Sequence, residues 1–190
     1  MGGMAQLPRR TAAGALLGLA APWPLAAQRA RYAFDGTGGR LGFTARHLGL
    51  FTSQGQFERF QAVLTLDPGA PGTAQVAVII ETGFVSLPWP GATELLRSEA
   101  YFDVARHPTA RFAGQAAGIS ERGEFGIAGQ LQVRGIEQPL TLTARLAERR
   151  GDMAAFTASG TIKRSDYGMT ADRSVISDTV TLTVSVRLAV

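Results

Sequence analysis

Residues 179–190 read TVTLTVSVRLAV, and every second residue of this stretch is Val or Leu. Thr, Ser, Arg and Ala occupy the positions in between. Side chains on a β-strand point alternately to opposite faces, so the aliphatic residues share one face. The stretch therefore predicts a strand with one buried apolar face and one solvent-exposed polar face.

The same alternation recurs along the chain and predicts about nine strands. The other eight lie near residues 31–35, 41–46, 55–66, 75–86, 109–116, 124–134, 138–147 and 154–164. Residues 92–100 are predicted to form a helix, with Thr93 as its N-cap. Many strands joined by Gly- and Pro-containing turns favour an all-β antiparallel barrel or sandwich. We favour a barrel because small residues interrupt the apolar faces, and a barrel of about eight strands can enclose one small ligand.

Composition excludes several classes of function. The chain has no Cys, which rules out disulfides, thiolate nucleophiles and Cys-ligated metal sites. Its formal charge is +4, and its arginines are scattered without forming a stripe. A nucleic-acid-binding protein would present a clustered basic face, so we expect no nucleic-acid partner.

The N-terminal segment has the pattern of a secretory signal peptide. Arg9 and Arg10 precede a short apolar run over residues 12–21, and small residues follow it. The pattern predicts a signal peptide over residues 1–27, cleaved after Ala27, and one mature domain over residues 28–190. The paired arginines are also compatible with the twin-arginine export route, so the Sec and twin-arginine routes both stay open.

Several segments resemble motifs of YceI-like proteins. Residues 102–112 (FDVARHPTARF), 129–140 (GQLQVRGIEQPL) and 163–169 (KRSDYGM) resemble three of them. Leu96-Arg97-Ser98 precedes the first, and residues 43–47 (FTARH) with 55–57 (GQF) resemble the opening of that family. Because the matches follow in order from about Tyr32 to the C-terminus, the chain is identified by resemblance as YceI-like.

The resemblance implies a lipocalin-like barrel that is exported to the bacterial periplasm. Its tunnel would bind a polyisoprenoid, such as a quinone tail or a prenyl diphosphate, or another long amphiphile. The bound lipid would be cargo, with no cofactor required and no enzymatic activity. Inner-membrane enzymes that handle quinones or lipids are the expected transient contacts, and a homodimer stays open as a further partner.

The chain departs from the family pattern just before Leu96. Glu94 stands near the position of a family acid, and Leu95 stands where the family often has His. The loss of a polar side chain predicts a more apolar cavity mouth. A less charged head group is therefore expected.

Twelve residues are candidates for contact with the ligand. They are Phe43, His47, Phe57, Phe84, Leu87, Trp89, Leu95, Leu96, Arg97, Phe102, Phe112 and Arg164. The aromatic and aliphatic members are predicted to line the cavity. The two arginines either bind a head-group oxygen, which suits their planar donors, or anchor loops at strand ends. His47 is either a structural hydrogen-bonding group or a head-group contact, and no metal site is expected.

Three functions fit this pattern. The first is a carrier that holds an isoprenoid lipid. The second is a stress-related interaction protein whose barrel is filled by its own side chains, and the third is a barrel isomerase with His47 as base. A cavity of a few hundred Å³, the usual scale of ligand pockets, would favour the carrier over the filled barrel.

Overall fold

The computed structural model describes residues 29–67, 71–119 and 124–189. The predicted signal peptide and its cleavage site lie outside the described residues. Within the described residues, no helix is both long and apolar enough to cross a membrane.

Strands dominate the described residues, with one short α-helix, α1 (Pro90–Arg97). The strands are β1 (Ala30–Asp35), β2 (Gly39–His47), β3 (Phe51–Phe57), β4 (Phe60–Leu66), β5 (Gln75–Glu81), β6 (Val85–Ser86), β7 (Thr109–Ile119), β8 (Glu124–Val133), β9 (Ile136–Arg150), β10 (Met153–Lys163) and β11 (Ile176–Ala189). Three 3₁₀ turns, Pro71–Thr73, Thr82–Phe84 and Arg164–Tyr167, lie between them.

The strands form one antiparallel sheet that curls on itself. Its strand order is β1-β4-β5-β7-β8-β9-β10-β11-β2-β3-β6. β3 and β4 lie near opposite ends of this order, yet only Glu58 and Arg59 connect them. A two-residue link can join them only if the two ends of the sheet come together. The predicted antiparallel barrel is thereby confirmed.

The described residues contain eleven strands because two predicted strands are each broken in two. The segment 55–66 breaks at Glu58 and Arg59, and the segment 75–86 breaks at the turn Thr82–Phe84. The two breaks bond to each other: the Glu58 amide donates to the Phe84 carbonyl, and the Glu81 amide donates to the Arg59 carbonyl. The broken backbone is therefore satisfied by partners that are distant in sequence.

The helix occurs near its predicted place, but the predicted N-cap is wrong. α1 begins at Pro90, with Trp89 at the N-cap position and proline in the first turn. Thr93 lies buried within the helix, and its hydroxyl accepts a hydrogen bond from the Leu87 amide at 3.0 Å. The hydroxyl thus binds the preceding loop instead of capping the helix.

The core lies inside the barrel as two groups of buried side chains. The large core cluster consists of Ala110, Phe112, Leu131, Val133, Leu140, Leu142, Tyr167 and Met169. The small core cluster consists of Leu41, Phe60 and Ala62. The members on strands alternate with more exposed residues, as the period of two requires, whereas Tyr167 and Met169 lie in and after the turn Arg164–Tyr167.

Candidate functional site

The inner face of the barrel encloses a cavity of about 320 Å³. Its walls come from nine strands and the residue before β5. The lining residues are Phe34, Leu41, Ala62, Leu64, Leu66, Ala74, Gln75, Val76, Val78, Phe112, Ala116, Phe125, Ile127, Leu142, Ala144, Phe156, Thr157, Ala158, Val184, Val186 and Leu188. The volume lies in the range of small-molecule sites.

The chemistry of this cavity is almost wholly hydrocarbon. Gln75 and Thr157 are the polar residues in its lining, and none of the lining residues is titratable. Burying an ionised group without a partner costs far more than burying hydrocarbon. The cavity therefore suits an uncharged apolar chain and supplies no acid or base for catalysis.

The cavity lies toward one end of the barrel. Leu66 and Ala74 flank the β4–β5 connection, and Phe125 lies at the start of β8. Phe156 lies near the start of β10, and Leu188 near the end of β11. We call this end the cavity end. The opposite end carries α1 and the turn Arg164–Tyr167, and we call it the helix end.

Among the twelve predicted site residues, Phe112 lies in the cavity lining. Three others form a row of rings: Phe57 lies 5.6 Å from Phe43 and 5.6 Å from Phe102, measured between ring centroids. Phe102 also packs against the large core cluster. These rings therefore belong to the filled part of the barrel, and their contact with a ligand stays a prediction.

The remaining apolar candidates lie around α1. Trp89 is 56% exposed and Leu95 is 45% exposed, whereas Leu87 and Leu96 are partly buried. Phe84 lies under the guanidinium of Arg59, whose Cζ is 3.7 Å from the ring centroid. None of the five is in the cavity lining.

His47 ends β2, where the sheet register places it opposite Phe51 on β3 and Ile176 on β11. It is partly buried and lies outside the cavity lining. The described residues contain no group of three or more His, Asp or Glu that could bind a metal ion. A head-group contact by His47 stays a prediction.

The two candidate arginines have different surroundings. Arg97 forms a surface ion pair with Glu94 at 2.8 Å, and a second guanidinium nitrogen lies 3.4 Å from the Val85 carbonyl. Arg164 is 3% exposed and donates hydrogen bonds to the carbonyls of Met169, Ile176 and Ser177 at 2.9, 3.0 and 3.1 Å. The contacts of Arg164 match the loop-anchor alternative. A ligand role for either arginine stays a prediction.

Sequence reasoning missed most of the cavity lining, although a signal was present. Ala62, Ala116, Ala144 and Ala158 occupy inward positions on four strands, where a small side chain leaves space inside a barrel. The neighbouring alternate positions carry Leu64, Leu142 and Phe156 on three of these strands, whereas Gly114 precedes Ala116 on β7. Small residues within an otherwise bulky inward face indicate the position of the cavity better than the twelve predicted site residues, of which Phe112 alone lines it.

Tyr101 connects the segment after α1 to the loop before β11. Its hydroxyl donates to Oδ2 of Asp172 at 2.7 Å. Burial, followed by this hydrogen bond and the charge of Asp172, raises the pKa of Tyr101 to about 12. The phenol is therefore held in its neutral form at the helix end.

Tyr101→Phe is expected to lower the free energy of unfolding by about 1 kcal/mol at neutral pH, because one hydrogen bond is lost. The pKa of Tyr101 is raised in the folded state, so its contribution is complete below pH 10 and declines as pH rises to about 12. The difference in the free energy of unfolding between the wild type and Tyr101→Phe should therefore shrink from pH 10 to about 12. Urea unfolding at pH 8, 10 and 11.5 tests this, and a difference that stays constant with pH would contradict it.

Comparisons with known proteins place this geometry in context. Residues 32–188 match the model of the YceI-like domain family. A UPF0312 protein of Pectobacterium carotovorum is 33% identical, over 83% of this chain and 85% of the relative. Among solved structures, BcnA of Burkholderia cenocepacia superposes with a TM-score of 0.72 at 19% identity, over 78% of this chain and 95% of that chain. A domain of Saccharophagus degradans, described as polyisoprenoid binding and implicated in plant cell wall breakdown, gives 0.61 at 14% identity, over 85% and 99%.

Proposed function

Since the chain belongs to the YceI-like family, we propose that it is a periplasmic binding and carrier protein for an isoprenoid lipid. The observation that carries the proposal is the charge-free cavity of about 320 Å³ inside the barrel. A barrel filled by its own side chains would leave no such space, so the cavity favours the carrier over the filled-barrel alternative. The description of the Saccharophagus domain as polyisoprenoid binding supports the choice of ligand class.

The apolar lining is sufficient to hold a prenyl chain. Each buried CH₂ is worth about 0.8 kcal/mol, so an isoprene unit of five carbons gains roughly 3–4 kcal/mol before ordering costs. Micromolar binding requires about 8 kcal/mol, and association costs several more. Three buried isoprene units gain roughly 9–12 kcal/mol, which reaches both requirements at its upper end without a strong head-group contact.

The head group should lie outside the hydrocarbon part of the cavity. A diphosphate inside it would lose its hydration and find no cationic partner among the lining residues. The lining therefore favours a ligand with an uncharged head, such as a quinone, over a prenyl diphosphate. Leu95 lies at the helix end and outside the lining, so the more apolar mouth predicted there does not bear on this cavity.

The proposed location rests on the N-terminal sequence. After cleavage following Ala27, the mature chain would act in the periplasm. There it would exchange its lipid with quinone- or lipid-handling enzymes of the inner membrane. The lipid is cargo in this scheme, and the folded barrel does not require it as a cofactor.

The proposal is tested by filling the cavity. Ala158 lines the cavity, whereas Ala113 is exposed on the outer face of β7. Ala158→Phe should weaken the binding of a short-chain ubiquinone at least tenfold, because the added ring takes up space that the tail needs. Ala113→Phe adds the same ring outside the barrel and should bind like the wild type.

Two measurements decide the outcome. Native mass spectrometry of protein purified from the periplasm should reveal a bound prenyl lipid in the wild type and in Ala113→Phe, but much less of it in Ala158→Phe. Calorimetric titration of delipidated protein with the ubiquinone should rank the three proteins in the same way. A wild-type protein that carries no lipid and takes up no quinone would refute the proposal.

A further inference from the structure

We propose that Phe112 is the inner floor of the cavity and limits the buried part of the ligand to two or three isoprene units. The inference rests on the proposed function, since it specifies which isoprenoid tails the same cavity accepts. Three observations support it. Phe112 belongs both to the large core cluster and to the cavity lining, its ring covers Gly114 on the inner face of β7, and the cavity volume limits the length of the buried tail.

Phe112 lies at the boundary between empty and filled space. It is 6% exposed and belongs to the large core cluster, yet it also lines the cavity. Leu142 is the other buried member of that cluster that lines the cavity. The remaining buried members of the cluster lie outside the lining, so the barrel interior beyond these two side chains is packed with protein.

The ring of Phe112 lies along the inner face of β7. A Cβ atom built on Gly114 would lie 2.8 Å from Cζ and 3.0 Å from Cε1 of Phe112. Gly114 is the next inward position on the same strand, so the ring covers it. A side chain at position 114 would lift the ring, whereas glycine allows it to lie across the strand.

The positions beside Phe112 on the two neighbouring strands differ in their surroundings. The register places Val78 of β5 and Leu131 of β8 opposite Phe112. Val78 lines the cavity, and Leu131 belongs to the large core cluster but not to the lining. Phe112 thus separates a strand position that faces the cavity from one that faces packed protein.

The cavity volume sets the length of tail that fits above this floor. An apolar protein cavity of about 150 Å³ holds benzene, which has six carbons. The cavity of about 320 Å³ has roughly twice that volume and so accommodates about a dozen carbons. This corresponds to two or three isoprene units, and any further unit would extend from the mouth into water.

A series of prenyl alcohols tests the floor. Delipidated full-length mature protein is titrated calorimetrically with geraniol, farnesol and geranylgeraniol, which have two, three and four isoprene units. In the wild type, farnesol should bind roughly tenfold or more tightly than geraniol, because an added unit is buried. Geranylgeraniol should bind within about threefold of farnesol, because its fourth unit stays in water.

The wild-type affinity should thus reach a plateau at farnesol. A smaller side chain at position 112 should shift this plateau to a longer tail. In Phe112→Ala, geranylgeraniol should bind roughly tenfold or more tightly than farnesol, since space opens toward the large core cluster. Phe112→Leu removes less volume and should give a smaller gain in the same direction, which covers the case in which the alanine variant does not fold. Val133→Ala removes volume from the same cluster away from the lining and should keep the wild-type plateau.

The outcomes separate the two proposals. If none of the alcohols binds the wild type, the proposed isoprenoid function fails, and the floor fails with it. If wild-type affinity still rises tenfold from farnesol to geranylgeraniol, the floor is refuted while the isoprenoid function stands. The floor is equally refuted if both Phe112 variants keep the wild-type plateau.

Discussion

Arg164→Ala is expected to lower the free energy of unfolding by about 3–5 kcal/mol. Arg164 is buried, and its guanidinium donates to the carbonyls of Met169, Ile176 and Ser177. Truncation removes all three donors at once and leaves acceptors without partners in a protected turn. Each lost hydrogen bond to a charged group is worth about 1.5–3 kcal/mol, and partial access of water reduces the sum.

The loss should be large because these contacts connect separate segments. Arg164 follows β10, Met169 lies in the next turn, and Ile176 and Ser177 begin β11. The guanidinium therefore fixes the loop that leads into the closing strand. Asp178 adds a second connection, since its carboxylate accepts hydrogen bonds from the Ser165 amide and hydroxyl at 3.0 and 2.8 Å.

Arg134→Ala is the matched control for Arg164→Ala. Arg134 is also an arginine bonded to a backbone carbonyl of this region, that of Gly168 at 3.0 Å, but it is only partly buried and the bond is exposed. Its loss should cost less than about 1 kcal/mol. Urea unfolding and thermal melts would measure both variants, with a fall in Tm of roughly 10 °C expected for Arg164→Ala. Equal losses in the two variants would contradict the anchoring role.

The strands could be predicted from the sequence, but their interruptions could not. The alternation in residues 179–190 is local, and β11 follows it from Ile176 to Ala189. The break at Glu58 and Arg59 depends on carbonyls and amides of Phe84 and Glu81, which lie more than twenty residues away. A hydrophobic pattern records which face is buried and does not record which distant backbone group replaces a ladder partner.

The cavity was harder to predict than the fold for a related reason. Sequence reasoning selected residues with distinctive chemistry, such as His47, Trp89 and Arg164, and these lie at the helix end. The cavity is formed by ordinary Ala, Val, Leu and Phe whose inward direction follows from alternation. The empty space between them depends on how tightly the sheet curls and on how far each strand is staggered, and neither quantity is encoded in a local pattern.

The close approach of β7 and β8 shows how a single glycine can control this geometry. The register places Gly129 opposite Gly114. A Cβ atom on Gly129 would overlap the Ala113 carbonyl oxygen and lie 2.6 Å from Cα of Gly114. Both contacts are with backbone, so no side-chain rotation can relieve them. The two strands would have to separate or slide.

Gly129→Ala is therefore expected to lower the free energy of unfolding by about 3 kcal/mol or more, at the upper end of the cost of overpacking. Gly126→Ala on the same strand is the matched control, because its Cβ would meet the Cβ and the carbonyl oxygen of Ala117 at ordinary distances of 3.6 and 3.9 Å. That change should be neutral or stabilise by up to about 1 kcal/mol. Urea unfolding of the two variants measures the contrast.

The position of Gly114 extends the consequence of Gly129→Ala to the cavity. Gly114 lies between Gly129, which it opposes across the β7–β8 pair, and the ring of Phe112, which covers it. A displacement of β7 at Gly114 would move that ring as well, so the variant should lose prenyl binding under conditions in which it is still folded. A Gly129→Ala protein as stable as Gly126→Ala would show that the strands separate without cost, and the packing argument would then fail.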